Sequence, residues 1–540
     1  MVFALLLLLA PLAAAGQIRF VEVARQVGID YVHENGASPE KRLPETNGAG
    51  SAFLDWDSDG DQDLYLVNSG DMADGRGDNW NRLYRNDGGV FARVTEAGGA
   101  LGVSYGMGVA AADYDSDGDP DLYLTAWGPD QLYRADPGGY IDVTESAGLG
   151  HPGWTTSAAF FDADGDGDLD LIAAQYVRFE LGQQPWCGRD DMNLRFYCDP
   201  RVFESTADIL YRNEGDGTFI EIGPQAGVVA EGNGLGVVAG DWDLDGDQDL
   251  YIANDLTANF HYLNQGDCTF VEDGLLAGTA LSADGANQAG MGVDAGDIDQ
   301  DGDLDFFVTN FQLETNNLYR NDGAYYSETS FKAGIGEISL NYLGFGTGFF
   351  DYDNDGHLDL FVGNGHVHDN IGDYDELVTY AQRAQIFRNI GAGRFVETSG
   401  ELGAALAERY VMRGSSFGDI DLDGDLDIAL VNNGQRFALL RNEGGVGNWL
   451  QVELVGRAGN RDAIGARIYL EIGDSRQLRQ IKAGSGFLST SQRAPIFGLG
   501  AVQKVVMLRD RLAFGPTLNT PRYRRKSATA DRAEDAMSRG

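Results

Sequence analysis

Histidine and cysteine are scarce in this chain, six and three among 540 residues. Nothing resembles a haem-attachment Cys pair, and the cysteines are too few for a zinc ribbon, which needs its ligands clustered. Basic side chains are also few: 39 Lys plus Arg stand against 84 Asp plus Glu, a net charge of -45. Phosphate-rich partners need a basic face, so nucleic acid and anionic lipid surfaces are excluded. Beyond the first fifteen residues no apolar run approaches the length of a membrane span. There is no nucleophile elbow, P-loop or dinucleotide fingerprint either.

What the chain has is aspartate and glycine in one recurring arrangement. Residues 55–64 (DWDSDGDQDL) return as 113–122 (DYDSDGDPDL), 162–171 (DADGDGDLDL), 241–250 (DWDLDGDQDL), 297–306 (DIDQDGDLDF), 351–360 (DYDNDGHLDL) and 419–428 (DIDLDGDLDI). We call these loops 1 to 7. Each reads D-x-D-x-D-G-x-x-D followed by an apolar residue. Carboxylates at positions 1, 3, 5 and 9 around a sharp turn at the position-6 glycine suit a hard, oxygen-seeking cation. Ca2+ accepts many oxygens at irregular geometry, while Mg2+ demands a stricter octahedron and ranks second. An EF-hand is excluded, because position 12 is Leu66 or Leu124 where that motif has Glu, and apolar strands rather than helices follow.

The spacer between loops repeats as well. A Leu-Tyr-Arg-Asn segment recurs, as at Leu83-Tyr84-Arg85-Asn86 and Leu318-Tyr319-Arg320-Asn321, and a half-buried strand such as Phe219-Ile220-Glu221-Ile222 follows. With the Gly-rich strand before each loop and the apolar strand after it, each unit has four strands. Four-stranded units repeated seven times predict an all-β, seven-bladed β-propeller over residues 17–446. The chain opens on an orphan strand, Phe20-Val21-Glu22-Val23, and the seventh unit ends without its fourth, so the first is expected to complete the last and close the ring. Residues 447–510 predict a small β-rich module, and 511–540 a disordered tail.

Residues 1–15 (MVFALLLLLAPLAAA) read as a secretory signal peptide with cleavage after Ala15. Export, whether secreted, periplasmic or cell-surface, suits a calcium-dependent fold and a disulfide between Cys187 and Cys198 in the longest insertion; Cys268 has no obvious partner. A second insertion, residues 364–379, holds His366-Val367-His368-Asp369. A His-x-His beside an acid is the one catalytic candidate, as metal ligands or an acid/base pair.

The Asp loops with their Gly-rich lead-in resemble the FG-GAP/VCBS repeats of integrin α-subunit propellers. Residues 460–466 (NRDAIGA) and Phe497-Gly498-Leu499-Gly500 resemble an ASPIC/UnbV domain, and the combination is similar to the bacterial relatives of cartilage acidic protein. The resemblance departs after Val505-Val506-Met507-Leu508, where Arg509 and Asp510 stand in place of a Trp-Pro-Ser-Gly-like strand. It implies up to seven Ca2+, held in loop 1 by Asp55, Asp57, Asp59 and Asp63 and in loop 2 by Asp113, Asp115, Asp117 and Asp121. The counterparts are Asp162, Asp164, Asp166 and Asp170; Asp241, Asp243, Asp245 and Asp249; and Asp297, Asp299, Asp301 and Asp305. Loops 6 and 7 offer Asp351, Asp353, Asp355 and Asp359, then Asp419, Asp421, Asp423 and Asp427. The expected function is an exported calcium-binding adhesion or recognition scaffold, with an extracellular protein or glycan bound on its loop face. The alternative is a calcium-dependent polysaccharide lyase or hydrolase that uses His366 and His368.

Overall fold

A computed structural model describes residues 18–72, 80–95, 100–445, 447–456, 459–473, 475–502, 507–511 and 522–525. The expected signal segment, residues 1–15, lies outside them. Each Asp loop is the turn of an antiparallel hairpin; in the first, Ser51–Leu54 pairs with Asp63–Leu66. The Leu-Tyr-Arg-Asn strand adds to the hairpin (Arg82–Asn86) and a three-residue outer strand follows (Phe91–Arg93). Burial falls outward across each blade: the inner strands are almost wholly buried, while the outer Phe-x-x strand buries only its first residue.

Seven such four-stranded sheets form. Their inner strands touch in sequence, and the first (Ser51–Leu54) lies between those of blade 2 (Tyr105–Ala112) and blade 7 (Met412–Gly418), so the ring closes. The Gly-rich character of the inner strands follows from this crowding. A Cβ on Gly346 would lie 2.4 Å from the Arg413 carbonyl, and one on Gly236 2.4 Å from the Met291 carbonyl. The orphan first strand, Arg19–Glu22, pairs with Ala438–Glu443 of blade 7 as its phase required.

The C-terminal module contains two three-stranded sheets: Ile496–Gly500 with Asn448–Glu453 and Arg522–Arg525, and Ser475–Gln480 with Arg467–Ile472 and Met507–Arg511. Residues 522–525 therefore correct the expectation of a structureless tail over 511–540, because the edge of Asn448–Glu453 offers free backbone groups that they fill. Arg511 ends the strand Met507–Arg511, and residues 512–521 and 526–540 lie outside the described residues.

The module is not a separate bead. Its segment 483–492 enters the centre of the ring and bonds to the inner strands of blades 1, 2, 3 and 5. Phe160 N–H donates to Ala483 (3.0 Å), Val109 to Leu488 (3.1 Å), Val293 to Gly486 (3.0 Å) and Phe53 to Thr490 (3.1 Å). Phe487 and Leu488 are buried at the axis among Tyr105, Met107, Leu235, Met291 and Phe345. Burying these two side chains contributes roughly 3–6 kcal/mol together.

Candidate metal centres

Within each loop the backbone turns twice through the left-handed region. The position-6 glycine is there in all seven (Gly60 at φ 93, Gly246 at φ 113), and so is position 4, which is Ser58, Ser116, Gly165, Leu244, Gln300, Asn354 or Leu422. These turns fold the odd-numbered carboxylates inward.

Position 9 is the keystone. In every loop its Oδ2 accepts the N–H of position 2, as from Trp56 to Asp63 (2.8 Å) and Trp242 to Asp249 (2.9 Å). Its Oδ1 accepts an N–H from the third strand, as from Asn86 to Asp63 (2.7 Å) and Asn264 to Asp249 (2.8 Å). The carboxylate thus ties the hairpin to the next strand while its remaining lone pairs face the loop centre.

Oxygens of positions 1, 3 and 9 converge to within 4.8 Å of one another: Asp55, Asp57 and Asp63, then Asp113, Asp115 and Asp121, and likewise in loops 3, 4 and 5. Loops 6 and 7 keep the same position-9 bonds through Asp359 and Asp427. Position 5 stands outside these triads. Asp59, Asp117, Asp166, Asp245, Asp301, Asp355 and Asp423 each accept the N–H two residues on, which spends one oxygen on the turn itself. Position 3 makes the same bond in loops 2, 3, 4 and 6, through Asp115, Asp164, Asp243 and Asp353.

Several of the convergent oxygens are buried with no hydrogen-bond partner: Asp55 Oδ1, Asp113 Oδ1, Asp241 Oδ1, Asp299 Oδ1 and both of Asp297. Orphaned carboxylate oxygens are costly, and a hard cation satisfies them. Burial pushes Asp113 and Asp241 up to about 6, and Asp162, Asp297, Asp351 and Asp419 up to about 7, with neighbouring carboxylates adding to the effect. The donor set is all oxygen, which fits Ca2+ or Mg2+ and not a thiophilic metal.

The strand asparagine carries a role that the sequence reading did not assign. Its side chain crosses to the previous blade and donates to the position-2 carbonyl of that blade's loop: Asn264 to Ala163 (2.7 Å), Asn389 to Ile298 (2.8 Å), Asn442 to Tyr352 (2.8 Å) and Asn86 to Ile420 (2.8 Å). Asn213 and Asn321 do the same. Blade 2 has Ala135 at this place, so the seam between blades 1 and 2 lacks the link. The exception was visible in the sequence, but its meaning needed the neighbouring blade.

The C-terminal module covers the inner part of the Asp-loop end. Gly500 N–H donates to Asn354 (2.8 Å), Asp113 N–H to Asp462 (2.8 Å), and Arg467 pairs with Asp241 (2.7 Å).

The insertions lie at the opposite end of the blades and meet each other. Cys187 and Cys198 are disulfide-bonded, and Cys268 is a buried free thiol. Phe196 packs at a tilt against His368 and Tyr374, with centroids at 5.5 and 4.6 Å, and Asn370 donates to the Arg195 carbonyl (3.0 Å). Tyr197 donates to Glu45 (3.2 Å), and Lys41 pairs with Asp369. His366 is 2% exposed, and its Nδ1 accepts the His368 N–H (3.0 Å), so its neutral ring carries the proton on Nε2. That tautomer does not suit a two-histidine chelate. Burial lowers His366 to about 3 and His368 to about 4, so both are neutral and weakly basic. His368 packs against Phe196 and Tyr197 of the first insertion, and His366 lies against Phe311.

Among the described residues no helix is long and apolar enough to cross a membrane. Comparison with known proteins agrees with the repeat. The FG-GAP-like repeat matches residues 55–124, 113–173, 201–252, 241–308 and 297–362, and the ASPIC and UnbV family matches 456–509. Human cartilage acidic protein 1 is 27% identical over 328 residues, covering 54% of this chain and 46% of that protein. The mouse protein is 29% identical over 289 residues, covering 52% and 42%. The matched part thus spans less than half of these relatives. Among solved structures, Saccharomyces cerevisiae Sqt1 aligns with a TM-score of 0.39 at 10% identity, covering 73% of this chain and 96% of that one. The chain belongs to the FG-GAP-like repeat family and carries an ASPIC and UnbV domain at its C-terminal side.

Proposed function

We propose that this protein is an exported Ca2+-binding β-propeller that serves as a recognition scaffold for an extracellular protein or glycan. The observation that carries the reading is the sevenfold recurrence of the Asp loop, whose carboxylates converge in loops 1 to 5 with several oxygens buried without a partner. A divalent ion supplies the missing charge there and holds position 1 against position 9, so it stiffens the turn of each inner hairpin. Partner binding belongs on the end away from the loops, where the disulfide-bonded insertion, the His366–Asp369 loop and residues 38–45 form one continuous surface. Loops on a rigid ring are where recognition is commonly built.

The test is metal analysis and melting of the mature protein, with and without chelator, followed by a glycan and protein binding screen. Several Ca2+ per chain and a melting temperature that falls steeply in EDTA are expected, since a ligand bound only by the native state adds to its stability. A metal-free protein with chelator-independent melting would overturn the reading.

A further inference from the structure

Six of the seven blades carry an arginine in the third strand: Arg85, Arg134, Arg212, Arg320, Arg388 and Arg441. Five of them pair with the acid two residues on, and the charge of each also bears on the position-3 carboxylate of its own loop. Arg388 lies 2.9 Å from Asp353 and Arg85 3.9 Å from Asp57, and the charges of the others reach Asp115, Asp164, Asp299 and Asp421. Blade 4 breaks the pattern, because its third strand, Phe260–Asn264, has Leu263 in the arginine's place.

Loop 4 instead receives its arginine from the C-terminal module. Arg467 Nη2 lies 2.7 Å from Asp241 Oδ2, and the two side chains are 5% and 0% exposed, whereas Arg85 and Arg388 are nearly half exposed. Arg467 Nε and Nη1 have no hydrogen-bond partner among the described residues. The same holds for both amide atoms of Gln480, its cross-strand neighbour, and for Oε1 of the loop residue Gln248. This guanidinium is therefore poorly screened and sits on a first-position ligand. The blade arginines are more exposed, and Arg479 of the module, also buried, acts on Asp297 and Asp351 at longer range than an ion pair.

We infer that loop 4 binds its cation more weakly than loop 7 and that its occupancy is linked to the seating of the C-terminal module through the Arg467–Asp241 pair. The inference rests on the cation-binding reading given above. Asp241 is shared between the two charges: its Oδ2 is held by Arg467 while its Oδ1 is left for the ion. A buried positive charge beside a ligand opposes a divalent ion more strongly than a solvated one, because screening is weak there. By linkage, an ion in loop 4 weakens the arginine's hold to the same degree.

Terbium luminescence reads this directly, with Tb3+ titrated into chelator-stripped full chain. Trp242 is position 2 of loop 4, Trp56 is position 2 of loop 1, and Trp449 of the module lies against Gly424 of loop 7. In a W56F background, with excitation that selects Trp over Tyr114 and Tyr352 of loops 2 and 6, the sensitised signal should rise in two steps, loop 7 first and loop 4 at a concentration about tenfold higher or more. D241N should remove the later step and so assign it. R467M and the milder R467Q should shift that step toward the earlier one, while R467K should leave it in place. A single step in the W56F background, or a later step unmoved in a folded R467M or R467Q protein, would overturn the inference. Lack of any sensitised signal together with no metal retained would instead sink the cation reading itself.

Discussion

Position 4 of each Asp loop shows how much one residue's backbone can matter. Leu244 and Leu422 hold φ of 64 and 57, a region that costs an ordinary L-residue about 1–2 kcal/mol. Loop 3 already has Gly165 there. Leu244→Gly should therefore stabilise the protein by roughly 0.5–1 kcal/mol, seen as a higher denaturation midpoint at fixed Ca2+. A lower midpoint would mean that the side chain packs usefully. His261 supports a second prediction at this scale. It is buried among Tyr251, Phe306 and Tyr326, and burial lowers it to about 4. The unfolded chain binds a proton near pH 6.5 that the folded chain does not accept until about 4. The stabilising contribution of the neutral ring is therefore present above about 6.5 and is lost as pH falls toward 4, on the order of 3 kcal/mol. His261→Phe should flatten the acid limb of the stability–pH curve over that interval, measured by denaturant titration at pH 7, 5.5 and 4.5.

Each blade is more than a sheet, because its third strand is tied to the neighbouring loop. Asn264 donates to Ala163 and Gln248 and accepts from Gly266, so Asn264→Ala leaves buried groups unpaired at the seam between blades 3 and 4. The expected loss is about 1–3 kcal/mol. Ala135→Asn makes the converse test, since it offers the missing donor to the seam between blades 1 and 2. If the link works as described, it should raise the melting temperature, and an unchanged or lower value would count against the role given to the asparagine. The four-strand unit and its Leu-Tyr-Arg-Asn landmark were legible because strand alternation and spacing are local properties. The crossing asparagine bond was not, since it joins residues in different repeats.

For the molecule as a whole, the decisive feature is the insertion of segment 483–492 into the ring centre. Phe487 is fully buried against Phe345 (centroids 5.1 Å), so the module cannot lift away without opening the core. Phe487→Ala should cost about 3–5 kcal/mol and lower the stability of propeller and module together, followed by calorimetry and intrinsic fluorescence. Two separate transitions, with only the smaller one shifted, would show that the two parts fold independently. The disulfide-bonded and histidine insertions are joined at the other end in the same way, by contacts between distant blades.

The repeat count, the four-strand unit, the carboxylate spacing and the returning first strand were all written in the sequence. Each is a matter of period and phase along the chain, and Arg19–Glu22 could only complete the blade that lacked a strand. The tertiary structure decided which carboxylates converge, that Arg467 rather than a blade arginine serves loop 4, and that the C-terminal module covers the loop end and fills the axis. The physical reason is that these facts concern directions and distances between residues hundreds of positions apart. They are set by closing the ring and packing its centre, and no local pattern encodes them.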